Sequence, residues 1–168
     1  TRFTQSTIHQ HVAERNGTLI LRVVLGKRIA VVTTNIFNTS SLKALIQRAI
    51  SLAKIQQPNE DFISLPEPKP IPEVDTFSNK VTRLTPEKKV KVIKELFTLV
   101  KERGLQASGA FAHGNVELAV VNSLGVEAYQ RYSDLLLHLI VGDDKNTGYA
   151  SFVSRDPDQL DIHSLARE

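Results

Sequence analysis

The chain contains no cysteine, no methionine and no tryptophan among its 168 residues. Without cysteine there is no disulfide, no thiol nucleophile and no thiolate metal ligand. That absence is compatible with a reducing compartment, and a cytoplasmic location is the expectation. No apolar run approaches the roughly 20 residues that span a bilayer. No signal peptide is visible either, so no membrane partner is expected. Charge of one sign is not in excess: Lys+Arg 21 against Asp+Glu 18 leaves a net +3. A nucleic-acid surface needs a clustered basic face, so direct nucleic-acid binding is not expected. Also missing are a glycine-rich phosphate loop, a GxSxG elbow and any HExxH or HExxxH helix. What remains is a chain that is 41% hydrophobic, enough for an ordinary domain with a sizeable core.

The chain repeats itself. The stretch Thr4 to Gly26 aligns with Val121 to Gly142, placing Ser6 on Ser123, Leu19 on Leu135, Leu21 on Leu137 and Gly26 on Gly142. After each glycine come a polar turn, a second strand-like run and a helix start. The second copy ends as its helix begins, and no initiator methionine is present, so the expectation is a piece of a longer protein. The pattern predicts an α+β fold of antiparallel sheets with packed helices. It is built from two related strand–hairpin–strand–helix repeats, with residues 4–53 and 121–168 superposing. One N-terminal-type domain spans 1–168: a first repeat over 1–56, a proline-rich connector over 57–84 and a truncated second repeat over 85–168.

Within that frame, Ile8 to Leu25 reads as extended structure and Gly26-Lys27-Arg28 as a tight turn. Ser40 or Ser41 is a candidate N-cap for a helix that buries Leu42, Leu45, Ile46, Ala49, Leu52 and Ala53. Six of the seven prolines fall between Pro58 and Pro86, and the run Pro66 to Pro72 excludes helix and central strand. It reads as a spacer; an SH3-type ligand is the weaker alternative. Thr85-Pro86 opens a second helix. Its buried face is Val90, Ile93, Leu96, Phe97 and Val100. Lys88, Lys89, Lys91, Lys94 and Lys101, interleaved with Glu87, Glu95 and Glu102, read as a solvated face. Leu105 to Ala112 is a strand, His113-Gly114-Asn115 a turn and Val116 to Asn122 the next strand. Val126 to Val141 is a long strand that pairs with Tyr149 to Ser154. Asp161 or Asp158 caps the last helix. An apolar face drawn from Tyr149, Phe152 and Leu135 to Val141 is expected to lie uncovered.

Candidate chemistry is sparse. His9 and His11 alternate in a strand and could begin a metal site, but no third ligand offers itself, and solvent-facing histidines are the preferred reading. Of the other histidines, His113, His138 and His163, the last has no histidine partner four residues away in its helix. Asp143-Asp144 and Asp156/Asp158 could do acid–base work or hold a hard cation, yet both sit where aspartate serves turns. Asn16-Gly17-Thr18 and Asn38-Thr39-Ser40 match the glycosylation triplet by chance, given no secretory signal. No catalytic, cofactor-binding or metal residue is assigned.

The stretch RFTQSTIHQHVAERNGTLILRVVLGKRIAVVTTN (Arg2 to Asn35) resembles the N-terminal region of the TldD/PmbA family. So does the ordered series that follows: SLKALIQRAISLAK, DFISLPEPKPIP, the Thr85-Pro86-Glu87 helix start, LQASGAFAHGNVELAVVNSLGVEAYQRYS and GYASFVSRD. The resemblance implies a zinc-dependent peptidase system that matures peptides, whose members are also described as modulators of DNA gyrase. TldD-like members carry an HExxxH helix and a later cysteine; PmbA-like (TldE-like) members lack a functional metal site and pair with TldD. The present residues include neither motif, so no zinc ligand carries over. The IHQ start, Ile8-His9-Gln10, leans toward the PmbA-like side. The implied partners are a TldD/PmbA-like subunit, in a homo- or hetero-oligomer, and a peptide substrate. The role is a scaffold and wall of the substrate chamber; the alternative is a non-catalytic partner-binding module.

Overall fold

The computed structural model describes residues 1–167. The elements run β1 (Arg2–Thr4), β2 (Thr7–Gln10), β3 (Leu19–Leu25), β4 (Arg28–Thr34), α1 (Thr39–Ile55), α2 (Asn79–Thr82), α3 (Pro86–Lys101), β5 (Gln106–Val121), β6 (Glu127–Gly142), β7 (Thr147–Ser154), a 3₁₀ turn (Pro157–Gln159) and α4 (Ile162–Leu165). The class is α+β. Two compact units divide the chain: Ala13–Glu67, and Thr1–Val12 with Pro68–Glu168.

In the smaller unit, β3 and β4 form a hairpin in full register from Leu19↔Thr34 to Leu25↔Arg28. Gly26 takes a φ of 61° in its turn. Strand alternation puts Leu21, Val23 and Val32 on one face, where Leu45, Ala49 and Leu52 of α1 cover them. The helix begins earlier than a cap at Ser40 or Ser41 predicts. Asn38 is the N-cap, its Oδ1 accepting from the Ser41 amide at 2.8 Å. Ile46, expected inside, is exposed. The extended stretch expected from Ile8 to Leu25 is broken: residues 11–18 carry no regular structure between β2 and β3.

The larger unit is a five-stranded antiparallel sheet in the order β2-β1-β5-β6-β7. Residues Gln5 and Ser6, both at positive φ, make the β1–β2 turn. Ser6 holds it by donating its amide to Ala107 O and accepting the Ala107 amide on its Oγ. From Ser133 to Leu139 every second residue of β6 is buried: Leu135, Leu137 and Leu139 pack with Ile93, Leu96 and Val100 of α3, and Ser133 Oγ accepts the Ser78 amide at 2.6 Å. Each such leucine stabilises the fold by about 1.5–3 kcal/mol. Phe3 packs edge-on against Phe97, ring centroids 5.4 Å apart. Thr85 caps α3 as expected, and Gly104 at φ 71° follows its end.

Three expectations are overturned here. His113-Gly114-Asn115 is not a turn: β5 runs unbroken for 16 residues, with Gly114 paired to Asp134. Cross-strand pairing along a hairpin this long outweighs the local turn tendency of Gly-Asn. Lys89 is not on a solvated face; it is buried. The uncovered face of the sheet is not drawn from Phe152, Leu135, Leu137 or Leu139, which face the helices. Of the residues expected there, Ile140 and Tyr149 are exposed; strand alternation adds Val153 beside them, with Val116, Leu118 and Val120 along the arm formed by the distal halves of β5 and β6.

Candidate functional site

A groove of about 910 Å³ lies in the larger unit, between the end of the connector and the β6–β7 edge. Thr76 anchors the connector there as a surrogate strand. Its carbonyl accepts the Ser133 amide at 3.0 Å, and its Oγ1 donates to Arg131 O at 2.7 Å. These contacts take up β6 just where β7 leaves off, since Leu135↔Ser154 ends that ladder. The Arg131 guanidinium stacks 4.2 Å over the Phe77 ring. Lys80 crosses the groove to Asp156 at 3.0 Å and Asp158 at 2.6 Å.

That bridge settles the fate of one aspartate pair. Asp156 is held below its ordinary pKa, first by the hydrogen bond from Lys80 and then by the Asp158 amide. Lys80 is raised by Asp158 and Asp156 in turn. Lys80 engages both carboxylates, an arrangement that suits fastening. Asp143 likewise accepts the Lys145 and Asn146 amides, each at 2.8 Å, and these hold its pKa down. It closes the β6–β7 turn.

The histidines scatter. His9 and His11 are exposed, and His11 Nδ1 meets Thr1 Oγ1 at 2.8 Å. His138 Nδ1 meets the Tyr149 hydroxyl at 3.0 Å on the uncovered face. His163 Nε2 lies 3.4 Å from Glu95. Among the described residues, no three His, Cys, Asp or Glu side chains stand together as a metal-ligand set. The residues present therefore do not fit the zinc that the TldD/PmbA resemblance implies for catalytic members.

One cluster escaped the sequence reading. Lys89, in the first turns of α3, keeps only 4% of its surface exposed. Burial pushes its ammonium below the ordinary lysine pKa. His113 is lowered by burial first and then by the charge of Lys89, and His11 follows the same two causes in the same order. The signal was present: Lys89 lies four residues before Ile93 and seven before Leu96, on the buried helical spacing.

No protein-family model and no curated protein matches the chain. Solved structures do. TldE from Thermococcus kodakarensis superposes with a TM-score of 0.79 over 99% of this chain, at 19% identity. The fold is TldE-like. A candidate modulator of a DNA gyrase from Thermotoga maritima gives a TM-score of 0.76 over 99% of the chain at 13% identity. Another from Bacteroides thetaiotaomicron gives 0.76 over 90% at 17% identity. The chain spans 39%, 39% and 38% of these three proteins. At such identities the likeness is one of fold, and the TldE-like architecture by itself names no chemistry. No helix among the described residues is long and apolar enough to cross a membrane.

Proposed function

We propose that this chain is the N-terminal scaffold of a TldD/PmbA-like cytoplasmic metallopeptidase system that matures or degrades peptides. It contributes one wall of a substrate chamber and contacts to a TldD/PmbA-like subunit, in a homo- or hetero-oligomer. Zinc and the hydrolytic step belong to residues other than these. The observation that carries the reading is the match of 99% of the chain to 39% of TldE: a piece of that fold built without a metal-ligand set among its described residues.

A second reading is a non-catalytic partner-binding module. It is favoured by the two relatives in fold whose names refer to DNA gyrase. The two separate in one experiment. The chain is immobilised beside an N-terminally matched full-length protein and offered a purified TldD-like subunit or purified gyrase. The scaffold reading expects capture of the TldD-like subunit, and peptide hydrolysis that requires that subunit. Capture of gyrase alone, with no hydrolysis in any combination, would replace it with the module reading.

A further inference from the structure

Lys89 stands where a core aliphatic residue belongs. It shares a helix face with Ile93, Leu96 and Val100, and keeps 4% of its surface. Its ammonium makes no hydrogen bond and no ion pair among the described residues. A buried ammonium without a counter-ion is one of the costlier arrangements a fold can hold. The groups whose fields reach it are basic as well: His113 on β5, His11 just past β2 and the Thr1 amino group, with Arg2 beside the latter. Two acids are near and neither neutralises it. Glu87 is tied to the Thr85 side chain at the helix cap. Asp134 alternates onto the opposite face of the sheet from Leu135. A second observation points the same way. His113 Nδ1 is a buried side-chain nitrogen with no hydrogen-bond partner, a state native folds seldom tolerate.

We propose that Lys89, His113 and His11 form a binding site for a carboxylate. The ammonium supplies the charge, and His113 Nδ1 and the free His11 Nε2 supply directed donors; His11 Nδ1 already meets Thr1. One ammonium between two imidazoles balances a planar monoanion with two acceptor oxygens. A phosphate dianion would stay under-neutralised. The carboxylate has two possible sources. One is a free small carboxylate. The other is a carboxylate side chain on a strand extending β1. Thr1 and Phe111 exchange both backbone hydrogen bonds, at 3.0 and 2.8 Å. Strand register then sets the position two residues before Thr1 opposite His113, on the same face. The proposal is independent of the peptidase reading.

The test is an NMR titration of the His113 and His11 rings with acetate, chloride or inorganic phosphate at matched ionic strength. Acetate is expected to shift both rings saturably and to raise the His113 pKa. Lys89→Met should weaken acetate about tenfold or more, the usual worth of a charge-assisted hydrogen bond. His113→Gln should weaken it as well, and serves if Lys89→Met does not fold. For the second source, an Asp-Ala extension before Thr1 is compared with Asn-Ala. Asp-Ala alone should raise the His113 pKa without acetate and block acetate binding. Unsaturable shifts, or an affinity unchanged in both variants, would overturn the site. Phosphate binding more tightly than acetate would overturn its carboxylate class.

Discussion

At the scale of single residues, two glycines show that φ and space are separate constraints. Gly26 sits at φ 61° with nothing within 4 Å of where a Cβ would stand, so Gly26→Ala should cost about 1–2 kcal/mol of backbone strain alone. Gly109 has an ordinary strand φ, but an added Cβ would lie 2.1 Å from His138 O and 2.9 Å from Phe3 Cζ. The carbonyl belongs to β6, which is paired on both sides by β5 and β7, and cannot move aside. Gly109→Ala is therefore expected to cost about 3 kcal/mol or more, or to prevent folding; urea melts of the two variants check the order. Lys89 gives a pH signature. Its pKa and that of His113 are depressed in the folded chain, so the unfolded chain binds more protons between the folded and ordinary values. Stability thus rises with pH in two windows, one ending near the ordinary histidine value of 6.5 and one near the ordinary lysine value of 10.5. It is lost as pH falls through each. Lys89→Met should erase the upper slope and stabilise the fold at neutral pH by roughly 1 kcal/mol. A flat upper limb in the unsubstituted protein would refute this.

At the scale of elements, much was legible. Thr85-Pro86 starts α3, Asp161 caps α4, and Gly26 and Gly104 take the positive φ their positions demand. These signals are local, carried by one or two residues whose backbone needs are chemical. What stayed hidden was non-local. Gly114 reads as a turn until Asp134 is known to face it, and Lys89 reads as one of a charge run until its spacing from Ile93 is weighed above its charge. Thr76 gives no sign in the sequence that it completes the β6 ladder. Its hydrogen bonds to Arg131 and Ser133 predict that Thr76→Val weakens the connector's hold by about 1 kcal/mol. The amide of Ser133 should then exchange faster while those of Leu137 and Leu139 do not change. Uniform exchange across β6 would show that the connector anchors nothing.

At the scale of the whole molecule, the uncovered sheet face is the dominant surface feature. Ile140, Tyr149 and Val153 are 50%, 62% and 67% exposed, and Val116, Leu118 and Val120 prolong the stripe along the arm. Contiguous apolar patches of this kind mark contact surfaces, and the outer edge of β5 beyond Phe111 offers unpaired backbone groups beside it. Self-association is the expected outcome. Light scattering over a concentration series should show mass rising with concentration, and Ile140→Lys with Val153→Lys should suppress it. A strictly monomeric protein at high concentration would refute the expectation.

The smaller unit is inserted into the larger one. The chain leaves after Val12 and returns at Pro68, so β1 pairs with a strand far along the chain, Arg2 against Ala110 and Phe3 against Gly109. This imposes an order of events. The β5–β6–β7 meander closes through short turns and can assemble early, with little entropy lost per contact. The Phe3–Gly109 pairing must close a loop of about a hundred residues, and each doubling of such a loop adds only about 0.6 kcal/mol. The delay is thus set by the search, not by the final stability. Substitutions in β1, such as Phe3→Leu, should accelerate unfolding and leave the folding rate nearly unchanged. Leu137→Ala in β6 should slow folding. Stopped-flow chevrons of the two variants would reveal the sequence in which the sheet is laid down: centre first, N-terminal edge last.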